Sequence, residues 1–140
     1  MKANITWREG VSFLGETDSG HAVLMDGAPE AGGQNLGPRP MEMLLLGLGG
    51  CTAFDVVLIL RKSRQMITDC QIEIEAQRAS TDPKVFTRIH LHFIVTGEEL
   101  NPQQVERAIS LSAEKYCSAS MMLKETVDIT HDYEIIASSA

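Results

Sequence analysis

Residues 43–60 read MLLLGLGGCTAFDVVLIL, eighteen residues with a single charge at Asp55. This stretch decides the fold. Its length stands at the lower edge of what spans a bilayer. Asp55 in its middle costs about 2.5–3.5 kcal/mol on insertion. Gly47, Gly49 and Gly50 each weaken a helix by roughly 1 kcal/mol relative to Ala. The stretch therefore reads as a helix buried nearly all round, in a core or a subunit interface, and not as a membrane span. The helix extends from Met41 to about Arg64, with Pro40 in its first turn and Arg61, Lys62 and Arg64 at the negative end of its dipole. It either runs unbroken or breaks and restarts at Gly49-Gly50. A single small sheet cannot cover so apolar a helix. A homodimer that encloses the helices between two sheets can.

On the N-terminal side, residues 26–40 (DGAPEAGGQNLGPRP) form a loop, rich in glycine and proline. Before it lie three short strands, 2–8, 11–15 and 21–25, read as a meander closed by Asp26-Gly27. On the C-terminal side, residues 71–80 and 86–95 alternate apolar and polar, with Asp82-Pro83 between them as a hairpin turn. Asn101-Pro102 opens a helix running to about Lys115, with Gln104 completing a capping box. A short helix over 117–124 and a strand over 127–135 follow. The order βββ-α-ββ-α-α-β is an α+β pattern. No repeat or linker divides it, so residues 1–140 read as one domain.

Twelve basic residues against nineteen acidic give a net charge of −7. That excludes a non-specific nucleic-acid binder and a polybasic membrane-surface protein. The first ten residues, MKANITWREG, lack an apolar signal core, and the expected location is the cytoplasm. Three cysteines are too few and too scattered for a disulfide framework or a zinc finger. In a reducing compartment they are reduced or redox-active.

Cys51 follows Gly49-Gly50. If the helix restarts there, unpaired N–H groups at its new start favour a thiolate; if not, Cys51 is a small core residue. Cys117, in EKYCSAS, lies where two helical stretches meet. It is either a resolving thiol, able to condense with a sulfenic acid, or core packing. Cys70 opens a strand and reads as structural. Glu42 is the carboxylate on the first turns of the helix, where its charge is favourable. It lies nine residues before Cys51, on the opposite side of an unbroken helix. His90 and His92 share one strand face with Arg88. Such a pair needs a third ligand to hold a metal, so they read as the solvated face, and no metal is expected. His21 and His131 stand alone. No phosphate-binding glycine pattern is present.

The segment GPRPMEMLLLGLGGCTAFDVV, residues 37–57, resembles the first-cysteine signature of the OsmC/Ohr family (osmotically inducible protein C / organic hydroperoxide resistance). SAEKYCSAS, residues 112–120, resembles its second motif, and the order of elements agrees along the whole chain. GHAVLMDG, FIVTGEEL and AEKYC point to the YhfA-type branch. The resemblance implies two antiparallel sheets around central helices in an intertwined homodimer, with no cofactor. It implies thiol-dependent reduction of organic hydroperoxides, in oxidative-stress defence. Cys51 would be the peroxidatic thiol, Cys117 its resolving partner, and an external thiol the reductant. Met41, Leu44, Leu45 and Leu48 would line an apolar pocket for the peroxide.

The chain departs from the family pattern in two places. Active reductases carry a glutamate directly after the motif proline, holding an arginine that orients the thiolate. Here Met41 follows Pro40, and Glu42 comes one residue late. GETDSGHAVLMDG, residues 15–27, contains no arginine; Arg8 and Arg39 are the substitutes at hand. The alternative reading is therefore a non-catalytic carrier of small apolar ligands, or a redox sensor, on the same fold.

Overall fold

A computed structural model describes residues 1–138. The chain divides into two compact units, Met1–Leu46 and Gly47–Ala140. The first unit holds an antiparallel meander of β1 (Ala3–Trp7), β2 (Phe13–Thr17) and β3 (Ala22–Met25). β2 starts two residues later than its sequence implies. Ser12 explains the shift: its N–H and Oγ both donate to the Glu9 carbonyl, at 2.8 and 2.7 Å, which commits residues 9–12 to a turn. The loop that follows is pinned by Asp26. Its carboxylate accepts N–H groups from Gly27 (2.7 Å), Gln34 (3.0 Å) and Leu36 (3.2 Å). These bonds, that from Gln34 foremost, hold the Asp26 carboxyl below the ordinary carboxylate range. Gly33 and Gly37 pass so close to the carbonyls of Gly27 and Leu24 that any side chain would collide there.

α1 (Pro40–Lys62) is a continuous helix of 23 residues. It does not break at Gly49-Gly50. Two glycines cost a helix about 2 kcal/mol in propensity, but tertiary packing routinely outweighs that. Leu48, Thr52, Val56 and Leu60 recur every fourth residue and are buried, each 1% exposed or less. Gly49 lies beneath the Ile74 side chain. The other faces are bare. Leu44, Phe54 and Leu58 are 47%, 68% and 41% exposed. By length and composition α1 is apolar enough to cross a membrane, yet only 22% of its most apolar window is buried by this chain.

In the second unit β4 (Met66–Arg78) pairs antiparallel with β5 (Phe86–Glu98), and β5 pairs parallel with β6 (Asp128–Ala137). The fold is α+β as expected, but its second sheet is mixed, not wholly antiparallel. Parallel pairing requires a long crossover, supplied here by α2 (Pro102–Leu111), a π-helical turn (Ser112–Tyr116) and α3 (Ser118–Leu123). Ile89, Leu91, Phe93 and Val95 point from β5 into the core with Val105 and Ile109 of α2, all 2% exposed or less. β4 begins five residues before the alternation that announced it, because Met66–Cys70 pairs with the far end of β5.

The caps differ in detail from the sequence pattern. Asn101 caps α2 by accepting the Gln103 N–H at 2.9 Å. Its own N–H goes to Gln65 Oε1 at 2.8 Å, so Gln65 takes the part assigned to Gln104. α2 also ends at Leu111, four residues early, where the chain widens into the π turn. Such turns often mark functional sites.

Candidate active site

Cys51 and Asp55 stand one helical turn apart on α1, on the same face. The π turn and α3 bring Cys117 to them. The two sulfurs and an Asp55 carboxylate oxygen all lie within 4.8 Å of one another. Both thiols are free. Cys117 is fully buried and Cys51 half-buried. A hydrogen-bonded chain backs the cluster: Thr52 Oγ1 meets Ser112 Oγ at 2.7 Å, and Ser112 Oγ donates to Asp55 Oδ2 at 3.0 Å. Sequence reasoning passed over Asp55 and Ser112. The Cys51–Asp55 spacing of four was the available signal.

The thiol at a helix start is Cys117, not Cys51. α1 is unbroken, so Cys51 sits in its interior, where the N–H groups are already used. Cys117 is the N-cap of α3, and its sulfur accepts the Ser120 N–H at 3.4 Å. Burial nevertheless pushes the Cys117 thiol up, and the neighbouring Cys51 adds to that against the pull of Ser120. Cys117 is thus held as the neutral thiol. Cys70 is also raised, by burial and then by Asp69.

The remaining predicted residues are occupied elsewhere. Glu42 Oε1 accepts the Arg39 N–H at 2.7 Å, closing the first turn of α1. The Arg39 guanidinium donates to Asn35 Oδ1 (2.8 Å) and the Gly37 carbonyl (3.2 Å), tying its own loop. Arg8 is exposed. Leu48 is a core residue, fully buried; Met41 and Leu45 are partly buried, and Leu44 is exposed. The cavity beside the cluster is formed one to two turns further along α1. It is a cleft of ≈ 560 Å³ lined by Asp55, Leu58, Ile59, Lys62, Arg107 and Tyr116, among others. Its lining is mixed: Leu58, Ile59, Leu111 and Tyr116 supply apolar surface, and Asp55, Lys62, Ser63 and Arg107 polar or charged groups.

Residues 32–132 match the family described as OsmC-like protein. The chain is 50% identical over 137 residues to Protein YhfA of Escherichia coli (strain K12), covering 98% of this chain and 99% of that protein. Among solved structures it superposes on an OsmC-like protein from Mycoplasma pneumoniae with a TM-score of 0.83 at 16% identity, over 96% of both chains. It superposes on the organic hydroperoxide resistance protein OhrB of Bacillus subtilis with a TM-score of 0.64 at 20% identity, over 96% of this chain and 98% of that one. At those identities the superpositions speak for the fold alone. With its motifs, its two sheets and a relative matched nearly end to end, this chain belongs to the OsmC-like family.

Proposed function

We propose that this protein is a thiol peroxidase that reduces organic hydroperoxides through Cys51 and Cys117, in defence against oxidative stress. The observation that carries the reading is the convergence of two free thiols, one partly exposed and one buried, beside a cleft with apolar and charged lining. The fold shared with a protein named for organic hydroperoxide resistance agrees with it.

The chemistry balances in three steps. Cys51, as thiolate, attacks the distal oxygen of ROOH; the O–O bond breaks, ROH leaves after taking a proton, and Cys51 becomes a sulfenic acid. The Cys117 sulfur then attacks the Cys51 sulfur and expels water, its thiol proton leaving with the hydroxyl. Two external thiols reduce the resulting disulfide and are themselves oxidised to one. Burial of Cys117 keeps it a protonated thiol and so leaves the first attack to Cys51. The protein acts in the cytoplasm, as a homodimer. The second copy covers the bare faces of α1 and brings Met41, Leu44 and Leu45 to the walls of the peroxide site.

A second reading follows from a specific observation. The ionisable group beside both thiols is a carboxylate, Asp55, while Arg39 and Glu42 are spent on the loop before α1. A carboxylate disfavours a neighbouring thiolate. A carrier of small apolar ligands would need the cleft and no thiolate. One experiment separates the two. Reduced protein is mixed with cumene hydroperoxide, and with hydrogen peroxide in parallel, and free thiols are counted against time. Loss of two thiols per chain, faster with the organic peroxide and absent in Cys51→Ser, is expected. Thiol counts that stay constant would transfer the function to ligand carriage.

A further inference from the structure

One side chain beside the thiols has no part in the three steps above. Asp55 brings a carboxylate oxygen within 4.8 Å of both the Cys51 and the Cys117 sulfurs. It is set there from two sides. Along α1 it stands one turn after Cys51. Across the core, Ser112 Oγ donates to Asp55 Oδ2 at 3.0 Å. A carboxylate only accepts, so Ser112 spends its proton on Asp55 and takes one from Thr52 Oγ1 at 2.7 Å. Ser112 and Thr52 are both buried, which leaves neither hydroxyl a water to turn to. The π turn supplies two of the parts at once. Its wide ring closes with the Cys117 N–H on the Ser112 carbonyl at 2.9 Å. The hydroxyl that orients the carboxylate and the thiol beside it are thereby fixed to each other. Asp55 also opens on the cleft, whose other ionisable groups are Lys62, Arg107 and Tyr116.

We propose that Asp55 is the proton acceptor of the resolving step: its carboxylate takes the Cys117 thiol proton as that sulfur attacks the Cys51 sulfenic acid, and hands it to the departing hydroxyl. The role rests on the peroxidase reading. The step needs such a group. Burial pushes the Cys117 thiol up and keeps it neutral, and a thiol attacks only as its proton leaves. The carboxylate reaches either sulfur through one bridging water, or directly once the site tightens during reaction. The atoms balance. An S–S bond forms between the two sulfurs and the Cys51 S–O bond breaks. The Cys117 proton joins the hydroxyl by way of Asp55, water leaves into the cleft, and Asp55 is a carboxylate again. Cys117 is oxidised as the sulfenic sulfur is reduced, and no outside reactant enters. Before peroxide arrives, the same negative charge disfavours a thiolate at Cys51. Asp55 therefore acts with opposite sign on the two steps.

A single turnover separates these effects. Reduced protein is mixed with one equivalent of cumene hydroperoxide per chain. Peroxide loss reports the first step, acid quench and mass spectrometry report the disulfide, and dimedone traps the sulfenic acid. Asp55→Asn keeps the shape and removes the base. It should consume peroxide faster than the natural chain, because a neighbouring negative charge is gone. It should form the disulfide about 100-fold more slowly, with sulfenic acid accumulating. That slow rate should climb about tenfold per pH unit through the neutral range, because the variant waits for hydroxide to ionise Cys117, while the natural chain stays nearly flat. A mere loss of packing would slow both steps and give no such slope. Ser112→Ala keeps the carboxylate but frees it. Its disulfide formation should fall several-fold, and it carries the test should Asp55→Asn fail to fold. A natural chain that consumes no peroxide would end the peroxidase reading and this role with it. A natural chain that cycles, with Asp55→Asn forming the disulfide at the natural rate (or Ser112→Ala, where the first variant does not fold), would end the role alone.

Discussion

At the scale of single residues, burial separates two chemically identical thiols. Cys51 is half-exposed on a long helix; Cys117 is sealed in and raised by its surroundings. Burial and the raised Cys117 thiol both point to Cys51 as the thiol that reagents reach first. A raised thiol stays protonated through neutral pH and gains nucleophilicity only well into the alkaline range. Iodoacetamide at pH 7.5 should therefore label Cys51 ahead of Cys117, and the gap should narrow as pH rises; peptide mass spectrometry reads the ratio. Under peroxide, Cys117→Ser should allow a single oxidation and then stop. Mass spectrometry should find Cys51 as a sulfenic or over-oxidised acid, and recovery of full turnover in that variant would remove Cys117 from the cycle.

At the scale of elements, two features carry separate weight. The first is the loop pinned by Asp26. Its folded carboxyl is held below the unfolded value, so its contribution to stability is present above about pH 4 and is lost as pH falls through the lower folded value. Asp26→Asn keeps the shape but turns a neutral amide toward three N–H donors. Its urea midpoint should lie below that of the natural chain at pH 7, and the difference should shrink in acid. The second is the inner face of β5. Phe93 is fully buried at the centre of the sheet, and Phe93→Ala should cost about 3–5 kcal/mol in equilibrium unfolding through lost transfer energy and a cavity.

At the scale of the whole molecule, the exposed apolar residues of α1 are the ground for the proposed second copy. Phe54 and Leu58 are exposed on α1, and exposed apolar surface of this kind commonly marks an association site. Asp55 within the helix argues for a protein partner over lipid, and the proposed second copy is such a partner. Light scattering should give twice the 15.4 kDa chain mass. Phe54→Asp should place a charge where that copy packs, and should shift the protein toward the single-chain mass or make it aggregate. An unchanged mass in that variant would move the interface off this face of α1.

Much of this was legible in the sequence, for a physical reason. Helix and strand periodicities, caps and turn residues are local, so α1, the β4–β5 hairpin and the last strand could be read from spacing. The two cysteine segments could be read as a family resemblance. Contacts between distant segments are another matter, because packing and sheet register decide them. Spacing alone left open whether α1 breaks at Gly49-Gly50; packing against the sheet keeps it whole, which removes the helix start imagined for Cys51 and leaves one at Cys117. Neither Asp55 nor Ser112 announces itself until the π turn carries Cys117 back to α1. The hydrogen bonds of His90 and His92 to Asp132 could not be read from spacing, because Asp132 sits on a strand whose parallel register no local pattern encodes. The sequence determined which elements form and which residues carry reactive chemistry. The tertiary structure decided which of those residues meet, because only the packing of the sheet and its crossover sets distances between residues far apart in the chain.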